Sequence, residues 1–291
     1  MSLLQKKYAD LINPAVFRSH KKPILLATGL TAAAAPLLAY AISCYRQWLA
    51  LGKGGVPYNF FGWLAQSSLH LIARSDTHLP IPKSFTKVED IAALYGPAAG
   101  KSYFSSSPGS GRTLEPRKGG PPTVPGFVAP QRQTDEFPPP GTVDRQNAFL
   151  AALAHANPAL FELQTSKLEG PPHRALWLRP GQALSEEERR AEAQFHVRLG
   201  RGSGGEWAHV HGEGSAHVTL SPVDAAAAIE AGWARRHGLS GVGGKRAMVP
   251  WGYVLVYAPR NEEEWGVWRE IVMAGARYVA EGAGVEVVVP E

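Results

Sequence analysis

The stretch W-A-H-V-H-G-E-G-S-A-H-V-T-L, residues 207–220, brings three histidines close together in the sequence. It is typical of a β-hairpin, because strand-forming residues flank the turn sequence G-E-G. Side chains alternate along a strand, so Trp207, His209 and His211 are predicted to share one face. A three-residue turn then places His209 opposite His217 in the second strand. We therefore expect the three imidazoles to converge on one face of the hairpin.

Three interpretations of these histidines remain open from the residue types alone. A His-x-His pair with a third histidine can close around a divalent metal ion. Histidine can also act as a metal-free acid or base, because its unperturbed pKa lies near neutral pH. The third interpretation is structural, with polar side chains on the solvated face of a hairpin.

A second group of candidates follows the hairpin. Trp233 and the pair Arg236-His237 are predicted at the end of a helix. There the pair either binds an anion or complements the negative end of the helix dipole. Tyr257 and Arg260 come at the end of a predicted strand, where loops often carry functional groups. Signatures of serine hydrolases, P-loop proteins and dinucleotide-binding proteins are absent from the sequence.

The elements around these residues predict an α+β fold, a small mixed or antiparallel sheet with packed helices. Predicted helices cover residues 146–163, 222–236 and 261–282. Ser221, Pro222 and Asn261 are typical helix-start residues. Predicted strands cover residues 173–178, the two arms of the hairpin, 252–258 and 285–289. Residues 142–291 are therefore expected to form one compact domain that holds the histidines.

Composition limits the function further. Of 291 residues, 31 are Gly and 24 are Pro, an excess over average usage that must lie in loops or linkers. The single cysteine excludes an internal disulfide framework and a Cys-cluster metal site. The net charge of +5 arises partly from the first 22 residues. Because no basic run is interleaved with aromatic residues, we expect no nucleic-acid partner.

An uncharged run lies between Lys22 and Arg46. About 20 apolar residues are enough to span a bilayer core of ~30 Å as a helix. The sequence therefore predicts an uncleaved transmembrane anchor over residues 23–45, after a short N-terminal segment, 1–22. A cleaved signal peptide is the alternative. The anchor would make this a single-pass protein of the endoplasmic reticulum or another endomembrane, with the lipid bilayer as a partner.

Residues 46–95 are predicted to be a juxtamembrane amphipathic region. Within it, Tyr58–Arg74 is aromatic and apolar with few charges. This stretch either lies as a helix at the membrane interface or packs on the following domain, since both would bury the same apolar face.

The stretch Glu206–Ala280 strongly resembles the fungal luciferases and the larger family of luciferase-domain proteins. The resemblance is carried by the motifs E-W-A-H-V-H, S-A-H-V-T-L-S, A-G-W-A-R-R-H-G-L-S-G and Y-A-P-R-N-E-E-E. Upstream, S-K-L-E at residues 166–169 and the N-terminal apolar and aromatic stretches are also similar to that family, in the same order.

The resemblance implies an oxidoreductase that oxygenates 3-hydroxyhispidin, a styryl-pyrone, with emission of light. It implies O2 as co-substrate, a peroxide intermediate, and neither flavin nor ATP. The alternative is a non-luminous ligand-binding or metal-dependent member that acts on another phenolic or enolic small molecule.

Enol deprotonation and anion stabilisation need a base and cationic groups within hydrogen-bond reach of the substrate. The residues expected to supply them are His209, His211, His217, Arg236 and His237. The residues expected to bind the flat substrate are Trp207, Trp233, Tyr257, Arg260, Lys167 and Glu169. We expect no cofactor, with a metal ion at His209, His211 and His217 as the alternative.

The Gly/Pro-rich segment 96–141 supports two different predictions. Its composition is typical of a flexible linker. However, E-P-R-K-G-G-P-P-T-V-P-G-F-V-A-P-Q-R-Q, residues 115–133, resembles a family segment and contains apolar side chains that a spacer would not need. We therefore predict that residues 115–135 lie extended against the domain and help to wall its pocket, whereas residues 98–112 stay mobile.

Overall fold

The computed structural model describes residue 32 and residues 34–105, 114–179 and 198–290. The chain divides into two compact units, residues 1–50 and 51–291. In the first unit, helix α1 covers residues 34–50.

The predicted transmembrane anchor is wrong. Among the described residues, no helix has both the length and the apolar character needed to cross a bilayer. Helix α1 carries Arg46 and Gln47. Residues 23–31 and residue 33 of the predicted span lie outside the described residues. The predicted single-pass location in an endomembrane fails on the same finding.

The second unit is built on one six-stranded antiparallel sheet, so the predicted α+β class with an antiparallel sheet is confirmed. The strand order is β1-β2-β3-β4-β6-β5, and each neighbouring pair is antiparallel. The strands are β1 (Phe161–Thr165), β2 (Arg174–Leu178), β3 (Glu206–Val210), β4 (Ala216–Thr219), β5 (Ala234–Arg236) and β6 (Tyr253–Val256).

Among the described residues of this unit, the sheet is accompanied by the α-helices given next and by two short 3₁₀ turns, Pro97–Gly100 and Gly244–Arg246. The helices are α2 (Phe60–Leu69), α3 (Val88–Ala92), α4 (Thr142–Ala156), α5 (Pro222–Glu230) and α6 (Glu262–Ala280). Asn261 caps α6 by accepting a hydrogen bond from the Glu264 N–H, which satisfies an otherwise unpaired backbone donor. Helix α6 lies close against the sheet at Gly275, where an added Cβ would come within 2.8 Å of Val218.

The sheet has two faces with different chemistry. The core face carries Leu176, Ala208, Val218 and Val254 as cross-strand neighbours, and these residues belong to the main hydrophobic core with helices α4, α5 and α6. The opposite face, here called the histidine face, carries Ala175, His209, His217 and Leu255 as cross-strand neighbours. The period-two alternation of strands produces this separation.

The structure corrects three predicted elements. Helix α5 ends at Glu230 rather than at residue 236, because Gly232 adopts φ +79° and turns the chain back. Residues 234–236 then form strand β5 beside β6. The predicted helix 146–163 instead divides into α4 and strand β1, with Asn157 at the helix end. Residues 285–289 are not a strand.

The apolar side chains of α2 are largely exposed, as Phe60, Phe61 and Leu64 show. The polar Gln66 is instead buried, and its Oε1 accepts a hydrogen bond from the Val128 N–H at 3.3 Å. Within the second unit, helix α2 is thus held to Val128 by a polar contact of Gln66, while its aromatic side chains remain exposed.

The Gly/Pro-rich residues 114–136, here called the strap, lie against the sheet domain. The Arg117 N–H donates to Ala231 O at 2.8 Å, and the Ala258 N–H donates to Gln133 Oε1 at 2.8 Å. Gln131 reaches the backbone of β5 through a 3.0 Å bond to Arg236 O. These contacts give the strap backbone and side-chain partners along its length. Residues 106–112 of the predicted mobile segment lie outside the described residues.

Asp224, at the start of α5, predicts a pH dependence of stability. Burial raises its pKa to about 6, although it accepts a hydrogen bond from the Tyr103 N–H. A raised acid pKa means that the folded state holds the proton more tightly than the unfolded state, so stability is lost as pH rises from about 4 to about 6. About two pKa units correspond to roughly 3 kcal/mol. Urea titrations across this range measure the free energy of unfolding at each pH. In Asp224→Asn this free energy should fall less with rising pH than in the unaltered chain. The control is Asp144→Asn, at an exposed helix start, which should leave the pH dependence unchanged. An unchanged slope in Asp224→Asn would contradict this assignment.

Candidate functional site

Three imidazoles pack together on the histidine face. The ring centroids of His209 and His211 are 5.1 Å apart, and the His217 ring lies 5.3 Å and 4.9 Å from them. His209 lies directly opposite His217 across the hairpin, and the His211 N–H donates to Ser215 O at 2.8 Å to close the turn. All three side chains are at most 2% exposed. The structure thus brings together the three histidines that were predicted to share one strand face. Because their side chains are buried, the interpretation that they lie on the solvated face of a hairpin is excluded.

Glu169 joins these rings from the turn between β1 and β2. Its Oε1 lies 3.6 Å from His211 Nε2 and 4.0 Å from His209 Nε2. The donor atoms of Glu169, His209, His211 and His217 all lie within 4.8 Å of one another. We call these four residues the His/Glu cluster. A buried group of three imidazoles and one carboxylate can hold either a shared proton or a metal ion.

A buried carboxylate, Glu206, shapes the turn that carries Glu169. It accepts hydrogen bonds from the Ser166 hydroxyl at 2.7 Å and from the Lys167 N–H at 2.6 Å. The Leu168 N–H adds a third bond at 3.1 Å. Within the motif S-K-L-E, Ser166 and Glu169 therefore act through their side chains, whereas Lys167 and Leu168 contribute backbone N–H groups. The Lys167 side chain is exposed.

Glu206 also positions His209, whose Nδ1 lies 2.7 Å from Glu206 Oε1. A β-bulge makes this contact possible, since Glu206 rather than Trp207 is the partner of Trp177 in strand β2. The extra residue breaks the alternation of side chains at this point. Trp207 consequently packs in the main core against Phe161, with ring centroids 5.2 Å apart, and is not on the histidine face as predicted.

Arg132 of the strap supplies the cation of the site. Its Nη2 lies 2.6 Å from Glu169 Oε2, and its guanidinium also donates to Leu51 O at 2.9 Å and Lys53 O at 2.6 Å. Both side chains are buried. The ion pair fixes the carboxylate that faces the histidines and ties the strap to residues 51–53.

The electrostatics of the cluster divide the histidines into two kinds. Burial lowers the pKa of His211, but the carboxylates of Glu213 and Glu169 outweigh burial and raise the pKa above its usual value. Burial and the neighbouring imidazoles hold the pKa of His217 well below its usual range. Burial raises the pKa of Glu169, but His211, His209 and Arg132 together hold it well below its usual value. At neutral pH the centre thus contains an ionised Glu169 and a neutral His217.

Further aromatic and imidazole rings surround the cluster. Tyr253 stacks on His217 with centroids 4.7 Å apart, and His237 lies 5.3 Å from His217. Burial lowers the pKa of His237 to about 4. His173 lies 6.3 Å from His211 and is only half-buried.

Arg236 does not lie among the rings around the His/Glu cluster, although it directly precedes His237 in the sequence and was predicted to act with it. It lies on the core face opposite Val254, and its guanidinium donates to the carbonyls of Leu79, Pro80 and Trp251. The prediction assumed a helix at this position. In a strand, successive residues alternate, so His237 and Arg236 point to opposite faces.

The remaining predicted substrate-binding residues have other partners. Trp233 donates from Nε1 to Glu115 O at 2.7 Å and belongs to the main core. Tyr257 lies under the Arg117 guanidinium, 5.6 Å from the ring centroid, and Arg260 pairs with Glu264. These three residues hold the strap and the start of α6, and the structure does not place them in the His/Glu cluster.

Sequence reasoning assigned no site role to Glu206, Arg132, Tyr253 or His173. Glu206 stands three residues before His209, a spacing that puts two side chains on opposite faces of a regular strand. Arg132 is 37 residues from its partner Glu169 in the sequence, and no local pattern indicates that contact. The available signal for Glu206 is its place in the sequence, because it is a carboxylate directly beside the strand that carries the His-x-His motif.

Gly54 is predicted to be a sensitive position at this site. A Cβ added there would lie 1.9 Å from Glu169 Oε2 and 2.6 Å from Arg132 Nη2. Gly54→Ala should therefore displace the buried ion pair and lower activity, because the added methyl group would occupy the place of the Glu169 carboxylate and the Arg132 guanidinium. Gly120→Ala is the control, since an added Cβ there meets nothing within 4 Å. Turnover of the two purified variants checks this expectation, and equal activity would contradict it.

A family model described as "Luciferase domain" matches residues 204–275. This segment is therefore similar to luciferase domains. The predicted resemblance to the fungal luciferases is confirmed. The matched segment, called the luciferase domain below, supplies β3, β4, β5 and β6, and with them His209, His211, His217 and His237.

Three proteins named "Luciferase" are similar to this chain. The protein from Armillaria gallica is 28% identical over 184 residues, which cover 59% of this chain and 64% of the relative. The Armillaria mellea protein is 36% identical over 25% of this chain and 28% of its own length. The Armillaria ostoyae protein is 34% identical over 29% of this chain and 32% of its own length. The chain thus spans less than two thirds of each relative that it matches. No solved structure matches the chain significantly.

The His/Glu cluster extends beyond the luciferase domain. Glu169 and its partner Arg132 precede residue 204 in the sequence, although both contact the centre that the domain's histidines form. The complete site therefore needs the strap and the β1–β2 turn in addition to the matched domain.

Proposed function

We propose that this chain is a luciferase-like oxygenase that adds O2 to an enolic styryl-pyrone of the 3-hydroxyhispidin kind through a peroxide. The observation that carries the proposal is the buried His/Glu cluster, three of whose residues lie in the luciferase domain. The resemblance of the chain to fungal luciferases suggests the substrate class, with O2 as co-substrate and no organic cofactor.

The geometry suits the first step of such a reaction. An enol must lose its proton before its carbon can donate electrons to O2, and a basic nitrogen within hydrogen-bond reach can accept that proton. Glu206 and Ser215 accept hydrogen bonds from the Nδ1 atoms of His209 and His211, so Nε2 is the nitrogen of each ring that could accept the proton when the ring is uncharged. The electron-rich carbon then forms a bond to O2, which is reduced to a peroxide as the carbon is oxidised.

The surroundings suit the later steps. Arg132 lies beside the cluster as a fixed cation, and fixed positive groups stabilise developing anions. Burial of the rings excludes bulk water, which protects a peroxide from side reactions and an excited product from quenching.

Oxygen uptake with 3-hydroxyhispidin tests the proposal directly. The purified chain should consume O2 in proportion to substrate, with light measured in the same cuvette. The matched control substrate is the same pyrone with its enolic oxygen methylated, which cannot lose the proton and should not react. Uptake of O2 without light would indicate a non-luminous oxygenase. An absence of uptake with the free enol would contradict the proposal.

A further inference from the structure

The hydrogen-bond partners of His209 and His211 turn the Nε2 atoms of the two rings toward each other. Glu206 accepts bonds from Ser166, Lys167 and Leu168 as well as from His209, so Nδ1 of His209 is the donor. The remaining nitrogen, Nε2, then carries a lone pair in the neutral ring.

His211 has the same arrangement through a different partner. The Ser215 hydroxyl donates to Glu213, so it must accept from Nδ1 of His211, 2.9 Å away. In the neutral ring, the Nε2 of His211 therefore also carries a lone pair. The two Nε2 atoms are 3.2 Å apart, a distance at which two lone pairs repel unless a cation lies between them.

His217 adds a third nitrogen of the same kind. Its Nδ1 lies 3.3 Å from Val254 O, which can only accept, so Nε2 is again the nitrogen with the lone pair. Three outer partners, a carboxylate, a hydroxyl and a backbone carbonyl, thus hold three imidazoles in the same tautomer. Metal-binding histidines characteristically donate their second ring N–H to such partners.

The distances fit a common metal ion. Two ligand atoms held at about 2.0–2.1 Å from one ion in tetrahedral geometry lie about 3.3 Å apart. The observed Nε2–Nε2 distance is 3.2 Å, and Glu169 Oε1 lies 3.6 Å and 4.0 Å from the same two nitrogens. All four donor atoms lie within 4.8 Å of one another, so the wider separations would shorten when an ion is bound.

Acidic side chains outnumber basic ones around the imidazoles. Glu169, Glu206 and Glu213 each approach one of the rings, whereas the guanidinium of Arg132 pairs with Glu169 alone among them. A bound cation would be attracted to such a group of carboxylates.

We propose that His209, His211, His217 and Glu169 bind one divalent first-row transition-metal ion. Three imidazoles and one carboxylate suit zinc, iron, cobalt or nickel, whereas magnesium and calcium prefer all-oxygen sites. When the ion is bound, the imidazoles are ligands rather than proton acceptors. The ion would then activate an enol by drawing electron density from its oxygen.

Metal analysis of the full chain tests this inference. The protein is purified without a polyhistidine tag, analysed for metal content, stripped with a chelator and titrated with Co²⁺ under anaerobic conditions. We expect about one ion per chain and visible Co²⁺ absorption bands. His209→Gln and His217→Gln should weaken Co²⁺ binding more than tenfold, and Glu206→Gln should weaken it about 10–100-fold through the orientation of His209. His155→Gln, at an exposed helix position, is the matched control and should bind as the unaltered chain does.

Circular dichroism shows whether each variant is folded, and the Co²⁺ spectrum of the unaltered chain depends on no variant. Binding equally weak in the unaltered chain and in folded His209→Gln would overturn the proposal and leave the shared proton as the explanation. The inference uses the cluster of the proposed function, but its measurement needs no turnover. A chain that binds metal without consuming O2 would reject the proposed function alone, and a chain that consumes O2 without metal would reject this inference alone.

Discussion

Replacing His211 with glutamine should lower O2 consumption with the enolic substrate by about 10²–10⁴-fold, the range expected for loss of an acid–base group. His211 is fully buried and contacts both His209 and Glu169, so its Nε2 lies at the centre of the cluster. Glutamine has a similar length and polarity but provides neither a basic nitrogen nor a strong metal ligand. Initial rates of O2 uptake for the purified variant give the measurement.

The control for this experiment is His155→Gln, which makes the same chemical change on the exposed face of α4. It should keep full activity. If His211→Gln retained the rate of the control while remaining folded, the His/Glu cluster would not be the reaction centre.

Arg132→Met should destabilise the fold by about 3–5 kcal/mol, the usual cost of leaving one partner of a buried ion pair without its counter-charge. Glu169 would remain ionised and buried, and the carbonyls of Leu51 and Lys53 would each lose a donor. The control is Lys118→Met, which removes an ion pair to Glu263 in which both side chains are largely exposed. It should change stability by less than about 1 kcal/mol. Urea unfolding measures both changes.

A second substitution separates the charge effect from lost packing. Adding Glu169→Gln to Arg132→Met removes the uncompensated carboxylate, so the double variant should recover part of the lost stability. No recovery would mean that Arg132 stabilises the strap through its backbone contacts rather than through Glu169. A loss in Arg132→Met no larger than that in Lys118→Met would contradict the assignment of a buried pair.

The hairpin was predictable because its information is local. Alternating residues on both sides of G-E-G determine the strands, and the turn length sets His209 opposite His217. The bulge at Glu206 was not predictable in the same way, because an extra residue in one strand becomes visible only against its partner, strand β2. For that reason Trp207 was assigned to the wrong face, and Glu206 received no role.

Other differences arise where tertiary packing overrides local preference. The sequence around Arg236 contains helix-forming residues up to Ala231, but Gly232 ends the helix and edge pairing with β6 makes the next residues a strand. Arg132 lies in a segment whose composition resembles a linker, and its function depends on a partner far along the chain. The apolar run before Arg46 has enough residues to span a bilayer, but no helix among the described residues combines the length and the apolar character needed to cross one.

The burial of the His/Glu cluster has a kinetic consequence for any ligand larger than a water molecule. With its rings at most 2% exposed, the conformer described here does not admit a bicyclic or styryl-substituted molecule. Binding must therefore follow an opening of the chain that covers the rings, and the apparent dissociation constant equals the intrinsic one divided by the open fraction. Release of product needs the same opening, so the rate of that motion sets an upper limit on turnover. Substitutions that loosen the cover, far from any reacting atom, can consequently tighten apparent binding while shortening the lifetime of a water-sensitive intermediate.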